Sequence, residues 1–314
     1  MTFVLILCVL AAIVLAASYA IYRFAFYSPN AKQNNDENLM DTEQMNAFRD
    51  TTLGMIRSLN ERPFERVYIT SHDGLRLSGR YYHMRDGAPL DICFHGYRGT
   101  PSRDFSGGTN IVFSQGNNLL MIEERAHCTS EGHTITFGVK ERYDCVDWVN
   151  YAVERFGKDT KIIICGISMG AATVLMASEL GLPENVRGIV ADCPYTSPKA
   201  IIKKVCRDMK VPADAAFPFV WLAARLFGGF DLNAADAADA VKHARIPILL
   251  IHGEADHFVP CEMGREIAAN NPGMTELHTF PGAGHGLSYL VDTERYTEID
   301  KAFHRRVMGE NANI

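Results

Sequence analysis

Several features that would mark particular protein classes are missing from this sequence of 314 residues. It has no CxxC pair and no Cys/His spacing of the kind that binds a metal ion. It has no concentrated basic patch, and its net charge is −6, which argues against a nucleic-acid partner because phosphate binding needs a basic surface. No internal repeat is present. Metal-finger, nucleic-acid-binding and repeat proteins are therefore excluded.

The composition is that of an ordinary globular protein. Hydrophobic residues make up 47% of the chain and charged residues 22%, enough to bury a large core. The eight cysteines lie singly. Cys93, Cys165 and Cys193 fall inside apolar runs, where a thiol behaves as a small hydrophobe. We interpret them as core residues, and eight cysteines without a pairing pattern favour a reducing compartment.

Residues 2–22 form one apolar segment without a charge, TFVLILCVLAAIVLAASYAIY. The segment is long enough to cross a bilayer as a helix, and two interpretations compete: a membrane anchor and a signal peptide. A basic n-region is missing and the apolar run is longer than a typical h-region, so we favour an anchor over residues 1–27. Arg23 and Lys32 follow it, and the positive-inside rule then favours a cytoplasmic domain, with the extracytoplasmic side as the alternative.

Residues 28–62 are predicted to form a polar linker and a helix near the membrane. Asp41 and Gln44 resemble a helix N-cap and its capping-box partner. Apolar residues then recur at helical spacing up to Leu59. We expect this helix to pack under the main domain, residues 63–310, without a functional role.

From Val67 onward, short apolar runs alternate with helical stretches. His72-Asp73-Gly74 separates the first two runs and suits a hairpin turn. Several later runs are almost continuously apolar, as strands covered on both faces require. The pattern predicts an α/β fold with a mostly parallel eight-stranded sheet and helices on both faces. The candidate strands are VYITS, LRLSGRYYH, LDICFHG, NLLMIEERA, KIIICGIS, VRGIVADCP, IPILLIHGE and TELHTFPG.

Residues 195–245 interrupt this alternation. The segment contains AAFPFVWLAARLFGGF and carries helical patterns with apolar residues on two sides. We predict a short helical cap inserted over one end of the sheet, with two ordinary connecting helices as the alternative. The Phe- and Trp-containing sequence, with Trp221 as a candidate substrate contact, favours a hydrophobic or acyl group.

A candidate nucleophile, Ser168, lies in Gly166-Ile167-Ser168-Met169-Gly170. The pattern is G-x-S-x-G, in which the serine occupies a sharp turn and the glycines let neighbouring backbone pack closely. Five residues alone are a weak signal. Here, however, a β-branched strand precedes the serine and a helix of small residues follows it, as the motif requires.

A serine hydroxyl needs a base to take its proton and an acid to orient the base. Asp256 follows the strand ILLIHGEA, and His285 follows the last strand in the glycine-rich turn PGAGHG. The chain order is then Ser, Asp, His. Glu254 and Asp192 are the alternative acids. The other histidines weighed as base lie beside the acid or within strands: His252, His257 and His278.

The oxyanion of an acyl-transfer reaction needs preorganised donors. One is predicted to be the backbone N–H of Met169, at the N-terminus of the helix after the nucleophile. The other is predicted to be the N–H of Tyr97, directly after His95-Gly96 in the loop following the third strand. Arg98 and His127 are candidate substrate contacts, although Arg98 also fits a solvated rim residue and His127 a loop-fixing residue.

Together these motifs resemble the α/β-hydrolase superfamily from about Val67 to Met308. They are the HG after the third strand, the serine elbow, the GEAD-xx-VP acid loop and the GAGH histidine loop. Bacterial membrane-anchored, serine-aminopeptidase-like hydrolases are the most similar group. The resemblance implies hydrolysis of an ester, thioester or amide without a cofactor. There is one departure, in Arg125-Ala126-His127-Cys128 of the loop after the fourth strand. Family members often carry a glycine after this R-x-H sequence, where this chain has Cys128.

The leading hypothesis is a membrane-tethered, carboxylesterase-like serine hydrolase acting on a small acyl or peptide-like substrate. Ser168 attacks the carbonyl, His285 transfers the proton and Asp256 orients His285. The second hypothesis is an aminopeptidase-like serine peptidase, and the third is an inactive binding protein with this fold. The peptidase would need an acidic cluster to hold a substrate amine. Three aspartates hint at such a cluster but fit helix caps on a solvated face equally well: Asp231, Asp236 and Asp239.

Overall fold

The computed structural model describes residues 2–28 and 35–309. Residues 29–34 of the predicted linker, with Lys32, lie outside the described residues. The strands are β1 (Glu65–Thr70), β2 (Arg76–Tyr82), β3 (Leu90–Phe94), β4 (Asn118–Glu123), β5 (Ile162–Ile167), β6 (Val186–Asp192), β7 (Ile248–Gly253) and β8 (Thr275–Phe280). The α-helices are α1 (Thr2–Ala25), α2 (Glu43–Asn60), α3 (Pro101–Phe105), α4 (Gly108–Ser114), α5 (Glu141–Phe156), α6 (Met169–Ala177), α7 (Pro198–Asp208), α8 (Ala213–Ala223), α9 (Ala237–Val241), α10 (Cys261–Ala269), α11 (Ser288–Val291) and α12 (Thr293–Met308).

The strands form one eight-stranded sheet in the order β1-β2-β4-β3-β5-β6-β7-β8. β2 pairs antiparallel with β1 and with β4. The pairs from β4 through β3 to β8 are parallel. The predicted hairpin and the predicted mostly parallel sheet are therefore both confirmed. The carboxyl ends of the parallel strands meet at one edge, where loops and helix N-termini converge.

Strand β5 shows why the central runs are apolar on both faces. Ile162 and Ile164 belong to the same buried cluster as Trp148 of α5. The alternate residue Ile163 belongs to a second cluster, with Phe303 of α12. Side chains of a strand point alternately to opposite faces, so helices cover this strand from both sides.

Helix α2 begins one residue later than the capping pattern predicts. Its N-cap is Thr42, whose Oγ1 accepts a hydrogen bond from the N–H of Met45 at 3.1 Å. The prediction that Asp41 is the cap is wrong, because the adjacent hydroxyl occupies that position. Gln44 is consequently released from a capping role and binds elsewhere, as described below.

Residues 195–245 fold into α7, α8 and α9, with a π-helical turn (Ala224–Gly228) continuing α8. The C-terminal turns of α1 pack against α8, and Tyr22 of α1 is buried. Phe26, directly after α1, is buried against the rings of Phe137 and Phe230. Residues 2–17 of α1 are exposed. With a mean hydropathy of 2.8 over its most apolar window, α1 is a candidate membrane span by length and composition, a test that a signal sequence also passes.

Candidate active site

Ser168 sits at the turn between β5 and α6. Its φ of 54° and ψ of −111° lie in a region that non-glycine residues rarely adopt. A Cβ at Gly166 would lie 2.3 Å from the carbonyl oxygen of Gly170, and one at Gly170 would lie 1.9 Å from that of Phe94. Only glycine fits at these two positions, so the sequence pattern holds the serine in a strained turn at the carboxyl edge of the sheet.

The structure brings Ser168, Asp256 and His285 together. His285 Nε2 lies 2.9 Å from Ser168 Oγ, and His285 Nδ1 lies 2.7 Å from Asp256 Oδ2. Asp256 lies in the loop after β7, and His285 in the loop after β8. Residues far apart in the chain therefore form one continuous hydrogen-bonded chain, because their strands end at the same edge of the sheet.

Asp256 is held in its ionised form. Burial raises the pKa of its carboxyl. The nearby His252, whose Nε2 lies 3.6 Å from Oδ2, and the hydrogen bonds from His285 and the surrounding backbone outweigh that effect and bring the pKa well below its ordinary value. The N–H groups of Phe258 and Val259 donate to Oδ1 at 2.9 and 2.8 Å. Oδ2 is then directed at His285, and a charged carboxylate fixes the imidazole proton on Nδ1.

The two alternative acids have other partners. Glu254 Oε1 accepts a hydrogen bond from the Thr279 hydroxyl at 2.6 Å. Asp192 lies at the end of β6, where its Oδ2 accepts a hydrogen bond from the Tyr296 hydroxyl at 3.1 Å. Burial raises the pKa of Asp192 to about 6. The carboxylate that contacts His285 is that of Asp256.

Replacing Asp192 with asparagine is expected to make stability less sensitive to pH. The folded-state pKa of about 6 exceeds the ordinary value of 3.8, so this carboxyl favours folding below pH 3.8 and loses that contribution as the pH rises through about 6. At about 1.4 kcal/mol per pKa unit, Asp192→Asn should gain up to ~3 kcal/mol relative to the parent protein between about pH 4 and pH 8. Urea unfolding in detergent at both pH values measures this gain. A difference that stays constant with pH would contradict it.

The loop after β3 lies against the nucleophile. The N–H of Gly96 donates to Asp104 Oδ2 at 2.7 Å, and the N–H of Arg98 donates to His127 Nε2 at 3.0 Å. A Cβ at Gly96 would lie 3.4 Å from the Cβ of Ser168. The amide of Tyr97 lies between these two fixed amides. Hydrogen bonds thus hold the residues on either side of Tyr97, the predicted donor, in a loop that lies against Ser168.

Met169 is the first residue of α6. The N–H groups in the first turn of a helix have no acceptor within that helix. Met169 is also completely buried, and its N–H lies at the positive end of the helix dipole, directly after Ser168. The two predicted oxyanion donors thus lie in the loop after β3 and at the first residue of α6, and both positions adjoin Ser168.

His127 holds the loop after β3 through a hydrogen bond to the backbone of Arg98. Its ring is fully buried, and burial lowers its pKa well below the ordinary value, so the imidazole is neutral. Nδ1 donates to the carbonyl of Arg125 at 2.8 Å, which leaves Nε2 to accept from the N–H of Arg98. Cys128 has a φ of 47°, in the left-handed region that favours glycine. That conformation accounts for the glycine common at this position in similar proteins.

A cavity of about 500 Å³ contains Ser168 and His285. Its walls include Met45 and Met55 of α2 and Phe105 of α3. Among the described residues, none between 195 and 245 lines it. The predicted cap, residues 195–245, therefore does not form this cavity wall. Residues of α2 line the cavity instead.

Of the three predicted substrate contacts, Arg98, His127 and Trp221, one lies at the cavity. Arg98 lines the cavity, and its guanidinium also donates to the carbonyl of Phe24 at 2.8 Å. His127 and Trp221 do not line the cavity within the part of the chain that the structure describes. The indole N–H of Trp221 donates instead to Asp231 Oδ1 at 2.8 Å. His127 and Trp221 are therefore placed in the framework around the site.

Gln44 is a site residue that the sequence pattern misses. Its Nε2 donates to the carbonyl of Gly282 at 2.6 Å, and its Oε1 accepts from the N–H of Gly284 at 2.7 Å. These two bonds hold the turn that leads into His285. No local signal identifies such a contact, because Gln44 and Gly284 are 240 residues apart in the chain.

Gln44→Ala is expected to lower kcat about tenfold with little change in KM. Two hydrogen bonds worth roughly 1 kcal/mol each would be lost, and a misplaced catalytic group reduces the rate more than substrate binding. Steady-state kinetics on a short ester measures the effect. Asn46→Ala on the same helix is the matched control, since the Asn46 amide donates to Asp41 at the surface. Equal effects of both variants would show that Gln44 has no positioning role.

Two compact groups of His, Cys and Asp side chains occur among the described residues. One consists of Cys193 with Asp256 and His285, and the other of His72, Asp73 and Asp144. In the first, the imidazole and carboxylate already bind each other. In the second, the Arg125 guanidinium bonds to both carboxylates at 2.6–3.0 Å. The carboxylates of both groups and the ring of His285 therefore already have protein partners.

A family model decides the relationship of the chain to known proteins. The model of the prolyl oligopeptidase family matches residues 134–311, more than half of the chain and the part that contains Ser168, Asp256 and His285. The chain belongs to the prolyl oligopeptidase family. This family member is therefore a hydrolase of the α/β-hydrolase superfamily, as the sequence motifs predict.

Similar proteins extend the match beyond the family model. This prolyl oligopeptidase family member is 21% identical to the uncharacterised protein YqkD of Bacillus subtilis over 273 residues, 87% of this chain and 88% of that protein. A solved esterase of Pyrococcus furiosus is 23% identical with a TM-score of 0.64, covering 80% of this chain and 93% of its own. Est1E of Butyrivibrio proteoclasticus, solved with ferulic acid, is 21% identical with a TM-score of 0.61, covering 78% and 100%. At these identities the structures establish the fold.

Proposed function

We propose that this protein is a carboxylesterase-like serine hydrolase with Ser168 as nucleophile. The observation that carries the proposal is the chain of hydrogen bonds from Ser168 Oγ through His285 to Asp256, with distances of 2.9 and 2.7 Å. A hydroxyl, an imidazole and an ionised carboxylate in this order form the arrangement that activates a serine. Residues 63–310 would form the hydrolase domain, with 195–245 as an inserted segment and α1 as its anchor.

In the first half of the reaction, Ser168 Oγ attacks the substrate carbonyl carbon while His285 Nε2 takes the hydroxyl proton. The N–H groups of Tyr97 and Met169 stabilise the oxyanion, each donor contributing roughly 3 kcal/mol. The protonated His285 then gives its proton to the leaving oxygen, and the bond to the leaving group breaks. An acyl-enzyme on Ser168 and a free alcohol result.

In the second half, water attacks the acyl carbon. His285 takes a proton from this water, the oxyanion forms again in the same place, and the proton returns to Ser168 Oγ as the ester bond breaks. The products are the free carboxylic acid and the regenerated enzyme. Asp256 keeps its charge throughout and stabilises the imidazolium in both halves.

The cavity favours an acyl group over a charged peptide amine. Its lining includes Met45, Met55, Phe105 and Phe258. The aspartates that also line it contact other side chains: Asp91 and Asp300 contact His304, Asp104 contacts Arg103, and Asp192 contacts Tyr296. The three aspartates that hinted at an amine site are engaged elsewhere. Asp236 caps α9, Asp239 binds Lys242 at 2.8 Å and Asp231 accepts hydrogen bonds from Trp221 and Asn233. They are helix-capping and surface groups, as the alternative interpretation has it.

A peptidase is the second candidate, and the observation that favours it is membership of the prolyl oligopeptidase family. An amide needs the same nucleophile and oxyanion donors, with a protonated His285 serving the leaving amine. The two candidates differ in the leaving group and in what the cavity accepts.

The test combines active-site labelling with a substrate series. The full chain in detergent is treated with a fluorophosphonate probe, and the labelled peptide is identified by mass spectrometry. Kinetics follow on p-nitrophenyl esters of increasing acyl length and on aminoacyl and prolyl amides. We expect labelling at Ser168 and higher kcat/KM for esters. Preference for amides would select the peptidase, and no labelling with no turnover would select an inactive binding protein.

A further inference from the structure

The outer face of α8 and of the π-helical turn after it is apolar. The residues of this face recur at helical spacing, and we call them the α8 stripe: Ala215, Pro218, Phe219, Leu222 and Leu226. Phe219 is 46% exposed and Leu226 52% exposed. A helix on the surface of a soluble protein normally carries polar residues on its outer face. The stripe therefore needs a partner outside the domain.

The α8 stripe adjoins the candidate membrane span. The C-terminal turns of α1 pack on α8 and on the π-helical turn. The rings of Tyr19 and Tyr22 contact that of Phe227, next to Leu226 of the stripe, with centroid distances of 5.2 and 6.1 Å. Ser18 and Tyr22 are buried by this packing. The stripe and the docked turns of α1 thus belong to one continuous surface.

The level of the membrane along α1 can be read from its sequence. The uncharged run continues through the docked turns, and the first charged residue is Arg23. Tyrosine and arginine are the residues that mark the boundary between hydrocarbon and headgroups. Tyr19, Tyr22 and Arg23 place that boundary where α1 meets Phe227. A bilayer crossed by α1 therefore meets the domain at the level of α8.

We propose that the α8 stripe lies in the interface of a bilayer that contains anionic lipids and that is crossed by α1. Met209 and Val211, in the turn before α8, extend the exposed apolar surface and are 55% and 39% exposed. Basic residues border it, as anionic headgroups require. Asp214, in the first turn of α8, is paired with Lys203 at 2.6 Å. The cations next to these apolar residues in the chain are Arg207, Lys210 and Arg225, of which Arg225 also contacts Asp231 at 3.7 Å, and Arg23 lies in the last turn of α1.

The same surface is joined to the cavity. The Tyr97 hydroxyl donates to the carbonyl of Ala25 at 2.8 Å, and the Arg98 guanidinium donates to that of Phe24 at 2.8 Å. Tyr97 and Arg98 also line the cavity that contains Ser168. The wall of the cavity is therefore hydrogen-bonded to the C-terminal end of α1. Resting on the proposed function, this geometry assigns to the enzyme acyl esters that are dissolved in the bilayer.

Fluorescence quenching by brominated lipids tests the surface directly. The full chain has two tryptophans, and Trp148 is fully buried. Phe219→Trp is made together with Trp221→Phe, and the protein is reconstituted into vesicles of brominated phosphatidylcholine and phosphatidylglycerol. Lys158→Trp in the same background is the matched control, because Lys158 is exposed just before β5, at the opposite edge of the sheet. We expect bromine to reduce Phe219→Trp emission about twofold and to leave Lys158→Trp nearly unchanged.

Equal quenching of the two reporters would overturn the proposal. So would an unquenched Phe219→Trp in a protein that light scattering shows to be dimeric, because the stripe would then be covered by a second copy. An unquenched reporter in a monomer would equally exclude the bilayer as the partner of the stripe.

Kinetics tests the consequence for substrates. The double variant Phe219→Ser/Leu226→Ser is compared with Met84→Ser, which removes an exposed apolar side chain at the opposite sheet edge. Lost burial of two large side chains should lower turnover of a long-chain ester dissolved in vesicles about tenfold, with p-nitrophenyl acetate hydrolysis within about twofold of the parent. Equal losses on both esters would overturn the assignment. If the parent hydrolyses neither ester, the substrate assignment fails with the proposed function, whereas the quenching result still decides the surface.

Discussion

Replacing Ser168 with alanine is expected to lower kcat/KM on the best ester by about 10⁴–10⁶-fold, with KM nearly unchanged. The alanine variant keeps the cavity and the oxyanion donors but has no oxygen to form the acyl-enzyme. Water must then attack the substrate directly, and the remaining rate comes from binding and oxyanion stabilisation alone. Initial-rate kinetics on purified protein and the loss of fluorophosphonate labelling measure the effect.

The matched control for this variant is Ser178→Ala. Ser178 follows the same helix α6 at its other end, and its hydroxyl donates to the carbonyl of Leu175 at 2.6 Å. A wild-type rate in Ser178→Ala with a lost rate in Ser168→Ala assigns the chemistry to one hydroxyl. If Ser168→Ala retained most of its activity, another nucleophile or directly activated water would have to replace Ser168 in the mechanism.

The sheet and the proximity of Ser168, Asp256 and His285 could be predicted because their signals are local. A β-branched run, two glycines and a helix of small residues mark the turn at Ser168 wherever they occur together. Parallel strands then bring their carboxyl ends to one edge without further information. Asp256 and His285 follow strands, so their convergence on Ser168 follows from strand order and needs no knowledge of side-chain packing.

The cavity wall could not be predicted, because it depends on how separate elements pack. No sequence pattern indicates that α2 faces the site, since the apolar spacing of a helix is the same whether it covers a core or a cavity. Gln44 illustrates the limit: its partners Gly282 and Gly284 lie at the other end of the chain. Trp221 shows the opposite kind of error, a residue predicted at the site that lies elsewhere. Its helix α8 has the apolar sequence expected of a cap, but it packs against α1 and does not line the cavity.

The N-cap of helix α2 is Thr42 instead of the predicted Asp41 for a different reason. Asp and Thr are both good N-cap residues, and Asp41 and Thr42 are adjacent. The capping-box pattern predicts Asp41 as the N-cap because Gln44 follows it three residues later. Tertiary contacts override that local preference, since Gln44 gains two hydrogen bonds to the histidine loop.

Asp256→Asn is expected to lower kcat by about 10⁴-fold while leaving the fold intact. Asparagine has nearly the same shape, and its amide oxygen can still accept the N–H groups of Phe258 and Val259. Its NH₂ group then faces His285 Nδ1, which must become an acceptor. The imidazole proton moves to Nε2, where it prevents the ring from taking the proton of Ser168 Oγ.

Glu254→Gln and Asp192→Asn serve as matched controls for Asp256→Asn, since they remove the two carboxylates that compete for the role of acid. The Glu254 variant should keep a rate near that of the parent, because its carboxylate binds Thr279. The Asp192 variant should change kcat by less than about tenfold, because its partner is the Tyr296 hydroxyl. A loss in Asp192→Asn comparable to that in Asp256→Asn would make Asp192 part of the proton-transfer apparatus. Fluorophosphonate labelling adds a readout that misfolding alone would not reproduce: Asp256→Asn should label slowly and completely, since Ser168 remains present but is weakly activated.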